Sequence, residues 1–386
     1  MQTLRIQRKK FSQQLLLAFL LGNSAFCFAQ ETTIYGPTDK KDTVTRGFKP
    51  NAGSDRFYRI YVGAAYNIVK YRHNKVPYAA SHSIGLNYSL TENSFHPYYE
   101  GLFPQAIGKW VLSLKAGYDG IRRTGFYGLG NETLRESDDN RFNWVRTHHQ
   151  YADFGISQLF SGKHEVGFSL LYDGIQVLND DNRYIAKNRQ TIDPADFNWQ
   201  YFLSGRLRYS YTNLDNAALP TKGFQLAGTA VYAESLKRSG HSFTRYTGDL
   251  DAYFPLSASF TYILRTGLAT VTGKPDFYQY NTIGATYTLR GYDWYRFYGK
   301  TSFYNQNELR WLRFVEKGSI SGHFGLMAFY DLGRVWQPGE SSRKMHYGYG
   351  LGLILAPLDR VVFTITYGIS NEDQRINTTL DKMEEH

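Results

Sequence analysis

The sequence predicts an all-β fold, a transmembrane antiparallel β-barrel of about 14–16 strands with a long loop folded inward. Three observations carry that reading. From Arg56 onward, segments of about ten residues alternate apolar with polar side chains, the period of two that belongs to strands. Past residue 29 no run approaches the ~18–20 apolar residues of a membrane helix, and only helices or closed barrels satisfy their backbone inside lipid. The chain also carries 32 Tyr, 26 Phe, 6 Trp and 36 Gly, a load that suits strands ending in interfacial aromatic girdles. A soluble β-sandwich alternates too. Its strands average ~5–6 residues, and its polar face carries more charge than the Ser, Thr, Gly and Tyr rows found here.

In chain order, Arg5, Arg8, Lys9 and Lys10 precede an apolar run at 15–21, and small residues follow to Ala29. This is the make-up of a signal peptide over 1–29, cleaved after Ala29 and exporting the rest to the Gram-negative outer membrane. A lipoprotein with Cys27 acylated is the alternative, weakened by Phe26 beside it. Cys27 is the only cysteine, so cleavage leaves no disulfide, thiolate metal site or cysteine nucleophile. Cleavage also removes four of the 44 basic residues, leaving 40 against 34 acidic ones. That formal +6 suits anionic lipid head groups as readily as plain solubility. Residues 30–55 are polar, turn-rich and too few for a core, and are expected to form a short periplasmic segment.

The barrel domain is expected over 56–370. Its segments fall near 57–70, 78–90, 95–103, 109–120, 143–160, 163–178 and 199–211. They continue near 223–236, 243–255, 258–271, 303–314, 319–336, 345–356 and 359–370, about fourteen in all. Leu112, Leu114, Ala116 and Tyr118 share one face against Ser113, Lys115, Gly117 and Asp119. Val361, Phe363, Ile365, Tyr367 and Ile369 alternate in the same way with Val362, Thr364, Thr366 and Gly368. The polar tail 371–386 is not expected to add a membrane strand.

Between 272 and 302 lies a loop too aromatic for disorder and too long for a mere connection. It contains Leu289-Arg290-Gly291-Tyr292. In the strands that follow, Leu309 and Trp311 alternate outward, so Glu308 and Arg310 face the lumen, as do Met327, Phe329 and Asp331. An unpaired charge in a partly dry lumen is costly, and the planar fork of arginine fits a carboxylate with two bonds. The loop is therefore expected to fold into the barrel and be clamped there by inward carboxylates. Gly348, Gly350 and Gly352 share an inward face that leaves room for it, barrel curvature being the other explanation.

Five short motifs in order give the chain a family likeness. They are Phe126-Tyr127-Gly128-Leu129-Gly130-Asn131, the turn with Asp215, Asn216, Pro220 and Gly223, Leu289-Arg290-Gly291-Tyr292, Phe329-Tyr330-Asp331-Leu332-Gly333-Arg334-Val335-Trp336, and Gly350-Leu351-Gly352 followed by Ala356-Pro357-Leu358. Together they resemble the BamA/TamA superfamily, the bacterial surface antigen barrels, in a short member without POTRA domains. The resemblance implies that Arg290 pairs with Asp331, and secondarily with Glu308. It also implies a role in inserting outer-membrane polypeptides or moving them across the membrane, with outer-membrane lipid and unfolded client proteins as partners. Residues 30–55 cannot hold a POTRA domain, so a separate periplasmic partner protein is implied as well. No cofactor, metal or nucleic acid enters this reading.

Two alternatives stand beside it. A passive porin-like channel would use Lys115, Arg206, Arg208 and Arg265 to favour anions. A barrel-embedded hydrolase would need a serine tied to His148, His149 and Asp153, or to His323. No spacing supplies that serine and Gly-x-Ser-x-Gly is absent, so no enzyme is expected.

Overall fold

Alternating strands bury one face only by curling around a lumen, and the chain does so as one antiparallel meander. The computed structural model describes residues 42–137, 139, 141–317, 320–357 and 361–382, and the signal peptide expected over 1–29 lies outside them. The first strands are β1 (Thr43–Asp55), β2 (Arg59–Arg72), β3 (Lys75–Ser89), β4 (Ser94–Ile107), β5 (Trp110–Gly125) and β6 (Trp144–Phe160). Next come β7 (His164–Val177), β8 (Gln200–Leu214), β9 (Gly223–Ser235), β10 (Ser242–Pro255) and β11 (Phe260–Gly273). A small hairpin, β12 (Asn281–Ile283) and β13 (Phe297–Gly299), interrupts the meander. It resumes with β14 (Thr301–Lys317), β15 (Ile320–Trp336), β16 (His346–Pro357), β17 (Val361–Ile369) and β18 (Gln374–Lys382). Sixteen strands thus form the barrel sheet, each paired with the next. Among the described residues no ladder joins β18 back to β1.

The register shows how period two sorts the side chains. Leu309, Ala328, Leu351, Tyr367 and Ile376 pair across five adjacent strands and face outward. One residue along, Glu308, Phe329, Gly350, Gly368 and Arg375 form the matching inward row. The outward row is apolar and exposed, as a lipid-facing surface requires; Ile376 is 70% accessible and Leu351 66%. The long connections 126–143, 178–199, 274–300 and 337–345 all leave one end of the barrel, which makes that end extracellular.

Two expectations need correction. Residues 43–55, read as part of a periplasmic segment, form β1, and the tail read from 371 contributes β18. In β1 the outward set mixes Arg46 and Pro50 with Val44 and Phe48, which blurs the alternation. Proline lacks the N–H of a ladder and is tolerated because β1 is an edge. In β18 only Ile376 and Leu380 are large and apolar, so its stability comes from the ladder with β17 rather than from its own pattern. The barrel accordingly spans 43–382.

The largest buried hydrophobic cluster lies inside the extracellular half of the lumen. Phe126, Val145, Val177, Ile185, Ile192, Phe277 and Tyr298 pack together there. The loop 178–199 joins that cap through a single helical turn, α1 (Tyr184–Lys187), and two 3-10 turns, although its sequence shows no periodicity of its own.

Candidate functional site: an arginine-clamped loop in the lumen

The loop between β11 and β14 turns inward in stages set by its residues. Asp276 and Gln279 cap a 3-10 turn, the Gln279 side chain accepting from the Asp276 N–H at 2.8 Å. β12 and β13 then zip together, and Thr288 Oγ closes the inner bend by bonding both the N–H and the carbonyl of Gly284. Leu289, Tyr292, Ile283 and Phe297 bury against Val335 of β15. This apolar knot aims Arg290 down the lumen.

Arg290 is 3% exposed, Glu308 2% and Asp331 0%. Arg290 Nε donates to Asp331 Oδ2 at 2.8 Å and Nη2 to Oδ1 at 2.7 Å. The Arg290 backbone N–H adds a third bond to the same carboxylate at 2.9 Å. Nη1 reaches Glu308 Oε2 at 3.1 Å, and the guanidinium lies over the Phe329 ring at 3.7 Å. Glu308 also receives Arg310 at 3.0 Å and Arg265 at 3.3 Å, so one carboxylate is shared by three arginines. The four charged residues around Arg290 sit on adjacent strands, Glu308 and Arg310 on β14, Asp331 on β15 and Arg265 on β11. Buried, two-pronged pairing of an arginine with a carboxylate is the strong form of an ion pair.

The glycines do related work. Gly291 has φ +94°, a conformation other residues rarely adopt. A Cβ on Gly348 would fall on the Arg290 carbonyl, and one on Gly368 would come within 2.8 Å of the Gly291 nitrogen. The loop backbone therefore rests on Gly348 and Gly368. Gly350 and Gly352 instead face Phe329 and Met327, whose side chains fill the space expected for the loop.

Sequence reasoning missed several participants. Arg296, 1% exposed, donates to Glu372 Oε2 at 2.6 Å and Oε1 at 2.9 Å, and to the Thr133 hydroxyl at 2.9 Å. Tyr292 OH donates to Asn371 at 2.5 Å, and Ser370 Oγ to the Gly291 carbonyl at 2.9 Å. Asn131, wholly buried, bonds the Lys344 carbonyl at 2.8 Å and accepts from the Val335 N–H at 3.1 Å. The Gly-x-Gly-Asn motif was the one available signal for it. Arg310 and Arg265 were legible as inward residues but not as partners of Glu308.

The turn motif has its own geometry. Asp215 accepts from the N–H groups of Thr221 and Lys222 at 2.9 and 3.0 Å, and Asn216 from those of Ala218 and Leu219, both at 2.9 Å. Gly223 takes φ +113°. Pro220 lies between them, beside the lumen chamber. His148 and His149 lie on β6. His149 bonds Asp119 at 3.2 Å and Asp173 at 3.0 Å, and Asp153 pairs with Arg206. Among the described residues no group of His, Cys, Asp and Glu is arranged to hold a metal ion.

One carboxylate in the extracellular cap gives a pH prediction. Burial, with Asp276 and Asp193 nearby, pushes the Asp196 carboxyl up to about 8, although Arg238 opposes the shift. Its Oδ1 lies 3.6 Å from Arg238 and accepts no hydrogen bond. A carboxyl whose folded pKa is raised holds its proton after the unfolded chain has lost it. The cap's stability is then full below about pH 4 and declines as pH rises towards about 8. The melting temperature is expected to fall across that window and Asp196→Asn to flatten the fall; a variant retaining the native slope would exclude Asp196 as the source.

Sixteen antiparallel strands around a lumen filled by an arginine-clamped loop define a β-barrel of the outer-membrane type. Residues 53–380 match the Omp85 superfamily domain, and the chain belongs to that superfamily. No curated protein sequence matches it. Among solved structures it is similar to BamA from Haemophilus ducreyi lacking POTRA domains 1–3, at 13% identity and a TM-score of 0.63, covering 92% of this chain and 75% of that one. CdiB from Acinetobacter baumannii (13% identity) and CdiB from Escherichia coli (11%) each give a TM-score of 0.53, covering 89% of this chain and 66% of theirs. At these identities the likeness is one of fold.

Proposed function

We propose that this barrel inserts or translocates outer-membrane polypeptides, working with a separate periplasmic partner, and that Arg290, Glu308 and Asp331 hold its inserted loop in the working position. The observation that carries the reading is the buried Arg290–Asp331 pair, which fastens a loop into a sheet whose end strands share no ladder among the described residues. An edge strand offers free N–H and C=O groups to another extended chain. β1 and β18 both present apolar outward side chains beside those groups, Phe48 at 81% exposure and Ile376 at 70%. The superfamily match supports the class of activity, and the clamp supports a closed rather than a porin-like lumen.

A photo-crosslinking amino acid at Phe48 or Ile376 in living cells is expected to trap unfolded outer-membrane proteins during their synthesis. The same probe at Tyr246, on the outer face of β10, is the control. Adducts equal at all three positions, or none, together with steady high conductance in planar bilayers, would give the porin reading instead.

A further inference from the structure

The turn between β8 and β9 runs into the barrel rather than away from it. Its Ala218 and Leu219 pack on Met327, Ile354, Ala356 and Val362, with Leu312 beside them. Those partners lie on β14 to β17, whereas β10 and β11 separate β9 from β14 in the sheet. The contact therefore crosses the lumen as a chord instead of following the wall. The turn is stiff enough to do this because Asp215 and Asn216 between them bind four of its backbone N–H groups.

Two cavities lie on either side of it. The inner one, about 710 Å³, reaches from the turn to Arg290 and is walled by Asp251, Arg265, Glu308, Thr364 and Thr366. The outer one, about 410 Å³, opens among Asp215, Asn216, Ser259, Arg313 and His323. Leu219 borders both. One apolar side chain thus stands as the partition between a polar chamber and the periplasmic mouth.

We propose that the β8–β9 turn is a periplasmic latch: seated, Leu219 closes the lumen chamber from below, and its release opens the chamber to the periplasm. A contact made by one leucine and one alanine opens without disturbing any strand ladder, and the prewired turn re-seats without refolding. The assignment is independent of the cargo the barrel handles.

The test uses the full chain with Cys27→Ser, folded in lipid nanodiscs. A cysteine introduced by Thr364→Cys reports access to the chamber through its labelling rate with a sulfonated maleimide. Labelling is expected to be slow with Leu219 in place and about tenfold faster with Leu219→Ser, while the compact, heat-modifiable gel band is unchanged. Should Leu219→Ser fail to fold, Leu219→Cys with Val362→Cys decides. On oxidation these are expected to form a disulfide, and planar-bilayer conductance is expected to rise when it is reduced. Equal labelling rates in folded protein, or failure of the pair to crosslink, would overturn the latch.

Discussion

Replacing Arg290 with alanine is expected to free the inserted loop and to cost the folded barrel about 3–5 kcal/mol, the range for breaking a buried ion pair from one side. Asp331 loses that arginine in the variant and, among the described residues, keeps a 3.4 Å contact from Gln306 as its side-chain donor. Glu308 still holds Arg265 and Arg310, so the loss concentrates on Asp331. A surface pair would be worth only ~0–1 kcal/mol, and the near-complete burial of both side chains excludes that regime. Asp331→Ala is expected to cost a similar amount by stranding Arg290. The double variant is expected to be no worse than either single one, because both changes remove the same interaction. The temperature at which the compact gel form converts to the slow form measures each, and protease cutting within 274–300 reports the loop. A conversion temperature untouched by Arg290→Ala would mean that the loop is held by its apolar knot alone.

Gly350→Phe is expected to abolish most refolding into detergent micelles, whereas Leu351→Phe leaves the yield near native. The two positions are neighbours on opposite faces of β16. At Gly350 a Cβ would meet the Tyr367 carbonyl and approach Phe329 Cζ to 2.7 Å. Phe329 is the ring beneath the Arg290 guanidinium, so a bulky residue there displaces the clamp as well as the strand. Overpacking typically costs ~1–3 kcal/mol, and backbone contact on this scale puts the change at or above the upper end. At Leu351 an added ring only enlarges an apolar surface that already faces lipid. The fraction of heat-modifiable band after refolding compares them directly, and equal yields would refute the inward assignment of Gly350.

The difference between what the sequence reveals and what it conceals follows from how local each signal is. Alternation is carried within a strand, so Leu309 against Glu308 is legible from neighbours alone. An arginine in an aromatic loop and two lumen carboxylates were legible for the same reason, since each is an anomaly in its own segment. Which glycines carry the loop was only partly legible: Gly348 was in the inward set, but Gly368 ends a strand whose partner β18 had been read as tail. Arg296 escaped for that reason too, because Glu372 acquires meaning only when 370–373 is known to be a turn of the barrel. The inward course of Ala218 and Leu219 depends on an apolar wall assembled from four distant strands, and no window of sequence contains it.

The short turn 370–373 has a consequence beyond its size. Through Ser370, Asn371 and Glu372 it grips Gly291, Tyr292 and Arg296, and Asp373 holds Arg135 at 3.0 Å. Among the described residues β18 therefore has one strand neighbour, β17, and a second set of attachments at its start, where Arg375 also meets Asp293 at 3.1 Å. Whatever free energy the loop gains by seating is shared with the position of the last hairpin, and linkage makes that dependence mutual. A chain that pairs with β18 and shifts it would loosen the loop at its extracellular attachments, and a loop that lifts would free the hairpin by an equal amount. The barrel's lumen and its outer edge are thus tied together through one four-residue turn.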